Sequence, residues 1–246
     1  MRILVVAPPA SVFPVGIASV VSSWKKAGHC VDAVNLSLVR DWEVRKGEYD
    51  LVATGGLACH LKSLRHIIDK ARRAGVPTVL GGGIVTSEPQ LIAASLRPDY
   101  CVLGEGEEVA VALLETLEAG RDPEQVPGVA FFRDDNLVLT QVPDPIANLD
   151  RLPTPDFDAL GFRQWLDQSR PSDSYNLDLF DQPRSYPLLG SRSCPYRCTF
   201  CYHPLGQKYR QRSLDSIMAE LASAIPKYRI NVIEVFAVPP VFWTGS

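Results

Sequence analysis

Along the first 120 residues, apolar runs alternate with segments whose apolar positions recur at helical spacing. The stretches Ile3–Ala7, Cys30–Asn35, Asp50–Thr54, Thr78–Leu80 and Tyr100–Leu103 read as strands. The first is apolar throughout, as expected of a strand covered on both faces. Between them the spacing predicts helices over 16–27, 61–74, 89–95 and 107–119. In the first helix Ile17, Val20, Val21 and Trp24 share one face, and Gly28 stops it. Such alternation implies a parallel sheet with right-handed crossovers. Five strands point to a flavodoxin-like, doubly wound α/β domain, whose ligands bind at the carboxyl ends of its strands.

After residue 125 the pattern changes. Residues 131–139 read as a hairpin turning at Asp134–Asn136, and the proline-rich run Pro143–Pro155 as an extended linker. A short helix near Phe162–Gln168 follows, then a polar surface loop over Ser169–Asp178. A second α/β unit begins at Ser185: a strand to Gly190, a helix from about Ser213 to Tyr228, and a strand Val232–Phe236. Ser213 supplies the helix N-cap, and Leu214, Ile217, Met218 and Leu221 form its apolar stripe. The expected organisation is a domain over 1–125, a connector over 126–184 and the start of another domain over 185–246.

Composition changes this picture little. The chain has 246 residues, 46% hydrophobic and 22% charged, as in an ordinary globular protein. A net charge of −3 offers no reason to expect nucleic acid or an anionic membrane as partner. No apolar run approaches the roughly 20 residues needed to cross a bilayer. Prolines interrupt the apolar start at Pro8–Pro9, so it reads as a buried strand rather than a signal peptide. Cys30, Cys59 and Cys101 are scattered, and a reducing cytoplasm is the expected setting.

Two features carry chemistry. The strand ends collect glycine: Thr54-Gly55-Gly56, Gly81-Gly82-Gly83 and Gly104-Glu105-Gly106-Glu107. Glycine lets backbone approach a bulky ligand, and three such turns on one sheet edge suggest a broad, flat one. The alternative is tight strand-to-helix turns with no ligand. The first turn lacks G-x-G-x-x-G, which disfavours a nicotinamide cofactor. The second feature is Cys194-Pro-Tyr-Arg-Cys198-Thr-Phe-Cys201, three thiolates at C-x3-C-x2-C spacing. Thiolates bind soft metals, and three on one loop can hold three corners of an iron–sulfur cube, leaving one iron open for chemistry. Zinc on these cysteines with His203 is the other reading.

The cysteine loop, with Phe200 before its last cysteine, resembles the signature of radical S-adenosylmethionine enzymes. With it in place, the upstream pieces are similar to the cobalamin-binding domain of class B, cobalamin-dependent members. These pieces are Pro8-Pro9, Phe13-Pro14-Val15-Gly16-Ile17, Ala27-Gly28-His29, and the turns at 81–83 and 104–107. Gly128-Val129-Ala130 and the run Leu149–Asp156 resemble that family's connector. The likeness covers nearly the whole chain.

The resemblance implies a 4Fe–4S cluster on Cys194, Cys198 and Cys201, S-adenosylmethionine on the open iron, and Phe200 beside its adenine. It implies cobalamin lined by Thr54, Gly55, Gly82, Gly83, Gly104, Glu105 and Gly106. No Asp-x-His-x-x-Gly motif is present, so no histidine is expected beneath the cobalt. The implied reaction is radical methyl transfer to an unactivated carbon of a small molecule, with an external flavodoxin- or ferredoxin-type electron donor. A non-catalytic cobalamin-binding module and a zinc-bearing regulatory module are the other classes left open. The 185–246 stretch holds about two units of a radical S-adenosylmethionine partial TIM barrel, so an incomplete barrel is expected, with the chain ending as though truncated.

Overall fold

The computed structural model describes residues 1–168, 180–196, 198–201 and 206–236. They form two compact units, one of residues 1–144 with 153–161, the other of 145–152 with the residues from 162 onward.

The first unit is built on β1 (Arg2–Ala7), α1 (Val15–Lys26), β2 (Cys30–Asn35), β3 (Leu51–Gly55), α2 (Leu61–Arg73) and β4 (Thr78–Gly81). It continues through α3 (Gly83–Ser87), α4 (Pro89–Leu96), β5 (Tyr100–Val102) and α5 (Gly106–Glu118). The parallel strands run in the order β2-β1-β3-β4-β5. Alternation along β1 explains why both faces are covered. Ile3 and Val5 pack with Val21, Trp24, Leu113 and Leu114 of α1 and α5, while Leu4 and Val6 pack with Ile67 and Ala71 of α2.

Two details depart from the sequence reading. The hairpin, β6 (Val129–Arg133) and β7 (Asn136–Leu139), pairs antiparallel beside β5 and lengthens the five-stranded sheet to seven. Gly128, at φ +84°, lets this happen: its N–H donates to the Gln141 carbonyl and its carbonyl accepts from Leu103 N–H. Secondly, helix 89–95 is preceded by α3, separated from α4 at Glu88, where the backbone turns to φ −135°. Part of the proline-rich run also packs into this unit. Asp156 N–H donates to the Ala18 carbonyl at 3.0 Å, and Phe157 stacks on Phe13 with ring centroids 5.5 Å apart.

The second unit contains α6 (Phe162–Gln168), β8 (Ser185–Leu189), β9 (Ser191–Arg192), β10 (Arg210–Gln211), α7 (Leu214–Tyr228) and β11 (Val232–Phe236). β8 and β11 pair in parallel across the α7 crossover, and β9 pairs antiparallel with β10. Phe162 packs edge-on against Tyr186 and Tyr228. The expected surface loop over 169–178 lies outside the described residues, apart from which the sequence-read elements of this unit are all present. No described helix is long and apolar enough to cross a membrane.

Candidate functional site

In the first unit the strand order reverses between β1 and β3, and the carboxyl ends of these strands flank the reversal, where doubly wound sheets bind ligands. Exposed apolar side chains gather at this edge. Val12 lies on the connection leaving β1 and Val39 on that leaving β2, with Leu57 and Leu61 after β3. Leu139 and Val142 join them at the end of β7, which runs parallel to β5 and so ends on the same edge. Among the large apolar residues that this unit exposes, only Leu91 on α4 lies elsewhere. An apolar rim confined to one edge is a binding feature rather than the usual scatter. Sequence reasoning missed Leu139 and Val142, because nothing local shows that a hairpin returns to the ligand edge.

The glycine turns do something the sequence did not indicate. A side-chain carbon on Gly82, at φ +91°, would lie 2.7 Å from Gly56 N and 2.8 Å from Gly56 O; one on Gly55 would lie 3.0 Å from Gly81 O. The two turns are cross-linked by Gly56 N–H to the Gly81 carbonyl at 3.3 Å and Ile84 N–H to the Gly56 carbonyl at 3.0 Å. These glycines therefore let two loops approach each other, which pre-forms the floor of the edge. Thr54 is buried and donates its hydroxyl to the Val6 carbonyl at 2.7 Å, so its side chain ties β3 to β1.

The remaining predicted residues divide between roles. Gly83 opens α3. Gly104, at φ +75°, donates its N–H to Thr86 Oγ1 at 3.1 Å and faces Val142, whose Cγ1 is 3.2 Å from where a side-chain carbon would stand. Glu105 is buried at the N-cap position of α5. Gly106 faces Val20 of α1, 3.2 Å from its would-be side chain. His60, just past β3, accepts the Leu57 N–H on Nδ1 at 3.1 Å.

In the second unit the cysteine loop leaves β9 and returns at β10, where Arg192 and Arg210 face each other in register. Cys194 is half-buried, whereas Cys198 and Cys201 are exposed. Cys201 N–H donates to the Cys198 carbonyl at 3.1 Å, closing a tight turn. Phe200 within that turn is 89% exposed, so no described residue covers its ring. The donor set, thiolates alone, suits an iron–sulfur cluster, in which each thiolate takes a separate iron. Among the described residues no three His, Cys, Asp or Glu side chains converge on a single ion. His203, needed for the zinc reading, lies outside the described residues. Cys101 behaves differently: burial pushes its thiol up to about 12, leaving it protonated and inert.

The base of this loop is anchored by a buried network that the sequence did not reveal. Glu220 of α7 accepts from Arg212 and, at 2.8 Å, from the Tyr186 hydroxyl of β8. Burial first, then the Glu220 charge, holds the Tyr186 hydroxyl protonated far above its ordinary range. At the start of α7, Ser213 Oγ accepts the Ser216 N–H at 3.1 Å, as its N-cap assignment requires. Asp150 accepts the Ser213 N–H at 2.9 Å, and this bond holds its carboxyl below the usual carboxylate value.

The described residues thus place a doubly wound domain with a ligand edge and a cysteine loop on a β/α unit in one chain. Residues 1–114 match the B12 binding domain family. An uncharacterized methyltransferase of Pyrococcus horikoshii is 31% identical over 171 residues, covering 68% of this chain and 34% of its own length. An anaerobic magnesium-protoporphyrin IX monomethyl ester cyclase of Rubrivivax gelatinosus is 29% identical, covering 67% of this chain and 28% of its own.

Among solved structures, the radical S-adenosylmethionine methyltransferase TsrM of Kitasatospora setae, with tryptophan and a S-adenosylmethionine analogue bound, superimposes with TM-score 0.72 at 19% identity. That match covers 96% of this chain and 47% of TsrM. The cobalamin-dependent radical enzyme OxsB, with aqua-cobalamin and S-adenosylmethionine bound, gives TM-score 0.71 at 16% identity, covering 96% of this chain and 33% of OxsB. The fold is thus the one expected from the sequence resemblance. The chain spans about a third of the length of the curated relatives it matches.

Proposed function

We propose that this chain is the cofactor-binding part of a cobalamin-dependent radical S-adenosylmethionine enzyme that methylates a carbon of a small molecule. The observation that carries the reading is the occurrence in one chain of an apolar-rimmed B12-type strand edge and a loop of three cysteines. When bound, the cluster with S-adenosylmethionine supplies a 5′-deoxyadenosyl radical, and cobalamin supplies the methyl group. Cys194, Cys198 and Cys201 would hold the cluster, and Phe200 would be available to the adenine. Leu57, Val12 and Val142 would offer apolar contact to the corrin, with the turns at Gly55–Gly56 and Gly81–Gly82 as the floor of the edge. Gly82, Gly83, Gly104, Glu105 and Gly106 shape the ends of that cleft, with Thr54 holding its floor strand. An external flavodoxin- or ferredoxin-type donor supplies electrons, and all six cysteines being free thiols fits work in a reducing cytoplasm.

The test is anaerobic reconstitution with iron, sulfide and hydroxocobalamin, followed by desalting, metal analysis and a visible spectrum. About four irons per chain, as a 4Fe–4S cluster requires, with a retained corrinoid band are expected. Zinc in place of iron, or neither metal nor corrinoid, would overturn the reading.

A further inference from the structure

We infer that Arg210 is the positioning residue of the cysteine loop, an inference that rests on the cluster reading above. Arginine is rarely buried unless its donors are engaged, and Arg210 is only 5% exposed. Its Nη1 donates to the Ile146 carbonyl at 2.8 Å, its Nη2 to Ser193 Oγ at 3.3 Å, and its Nε to the Lys208 carbonyl at 3.2 Å. These acceptors belong to the segment entering the second unit, to the residue before Cys194, and to the returning end of the loop. One planar side chain thus ties both ends of the 194–209 loop to a common support.

The chemistry requires this kind of group. A guanidinium presents five donors in a fixed fork and can bond three acceptors lying in different directions within its plane, whereas an ammonium is a compact charge on a flexible stem. Ser193 needs the support, since its φ of +63° is a conformation that residues other than glycine hold only when their surroundings impose it. The β9–β10 ladder is just two residue pairs long, Arg210 with Arg192 and Gln211 with Ser191. Two pairs are too few to fix a loop by themselves. Cys198 and Cys201 are exposed and take their position from this base. A cluster holds only while three thiolates are presented together, so loosening the base speeds its loss.

The experiment uses the full 246-residue chain, reconstituted with iron and sulfide, as wild type, Arg210→Met, Arg210→Lys and Ser193→Ala. Iron release into a ferrous chelator is timed, with the visible cluster spectrum and far-ultraviolet circular dichroism recorded alongside. Release from Arg210→Met is expected to be about 10- to 100-fold faster, the range seen when a residue supporting metal ligands is removed. Arg210→Lys should fall between, and Ser193→Ala, which keeps the buried cation, should quicken release less than Arg210→Met, with helix content unchanged. Equal release rates in wild type, Arg210→Met and Ser193→Ala overturn the inference. Should Arg210→Met lose its helix signal, Ser193→Ala decides alone, and an unchanged rate there overturns it. A wild-type chain that takes up no iron overturns the cluster reading itself, and this inference with it.

Discussion

The two candidate binding regions are built in opposite ways. At the carboxyl edge of the first unit, backbone grips backbone: the turns after β3 and β4 are bonded to each other, and Gly82 has no room for a side chain against Gly56. In the second unit two of the three cysteines that would hold metal are exposed, and the base of their loop is tied by Arg210 and a two-pair ladder. The first is a floor already shaped before any ligand arrives. The second is a loop with two exposed thiols, anchored at its base. This contrast follows from what each ligand offers. An apolar ligand rewards a rigid complementary surface, whereas a cluster contributes strong bonds that can organise a loop.

The comparison can be broken most sharply at the cysteines. Cys198→Ala is expected to abolish iron and sulfide retention while leaving corrinoid binding by the first unit intact. Full iron content in that variant, measured after desalting, would remove the cluster from this loop.

The next largest effect concerns the support beneath the loop. Glu220→Ala leaves Arg212 and the Tyr186 hydroxyl without their buried carboxylate. Breaking a buried pair from one side costs about 3–5 kcal/mol. The loss should appear in urea denaturation followed by helix signal, with corrinoid binding retained by the first unit below the transition.

Gly82→Ala tests the rigid side of the contrast. The variant combines a left-handed backbone with a contact of 2.7 Å, and a cost of about 2–4 kcal/mol is expected. Gly16→Ala, where nothing lies within 4 Å of the added carbon, is the control and should be neutral or slightly stabilising. Equal stability of the two variants would mean that the interlocked turns do not shape the edge.

A smaller change separates two roles for Thr54. Thr54→Val removes the hydroxyl bonded to the Val6 carbonyl and should cost about 1 kcal/mol. If the side chain serves only to tie β3 to β1, corrinoid affinity in a spectral titration stays unchanged. A several-fold loss of affinity at unchanged stability would place the hydroxyl on the ligand instead.

The smallest expected effect is a pH dependence at the start of α7. Asp150 titrates below its ordinary value of 3.8 because it accepts the Ser213 N–H. A depressed carboxyl stabilises the fold above that value and loses its contribution as pH falls through the lower folded value. Acid titration of wild type and Asp150→Asn should therefore show a small, constant difference above pH 3.8 that shrinks as pH falls below it.

How legible all this was in the sequence varies with the kind of signal. The five parallel strands could be read because each is short, apolar and bounded by turn residues, and their parallel pairing followed from the helices between them. The cysteine loop was legible for another reason: its three cysteines lie within eight consecutive positions, so spacing alone brings them onto one loop. The glycine turns were found but their partners were not. Glycine signals that backbone comes close to something, and nothing in the local sequence says whether that is a ligand or another loop. Leu57, Leu139 and Val142 look like core residues on paper, since an apolar residue carries no mark of the side on which it emerges. Arg210 and Glu220 look like surface charges until the fold brings Ile146, Ser193 and Tyr186 to them.

The sequence by itself pointed to two candidate sites, because strand periodicity and cysteine spacing are local properties that survive without the fold. Tertiary structure alone decided that the hairpin joins the first sheet, that the glycine turns brace each other, and that Arg210 lies beneath the cysteine loop. Those contacts join residues tens of positions apart, such as Ile146 with Arg210, and their energy depends on distances that only a folded chain defines.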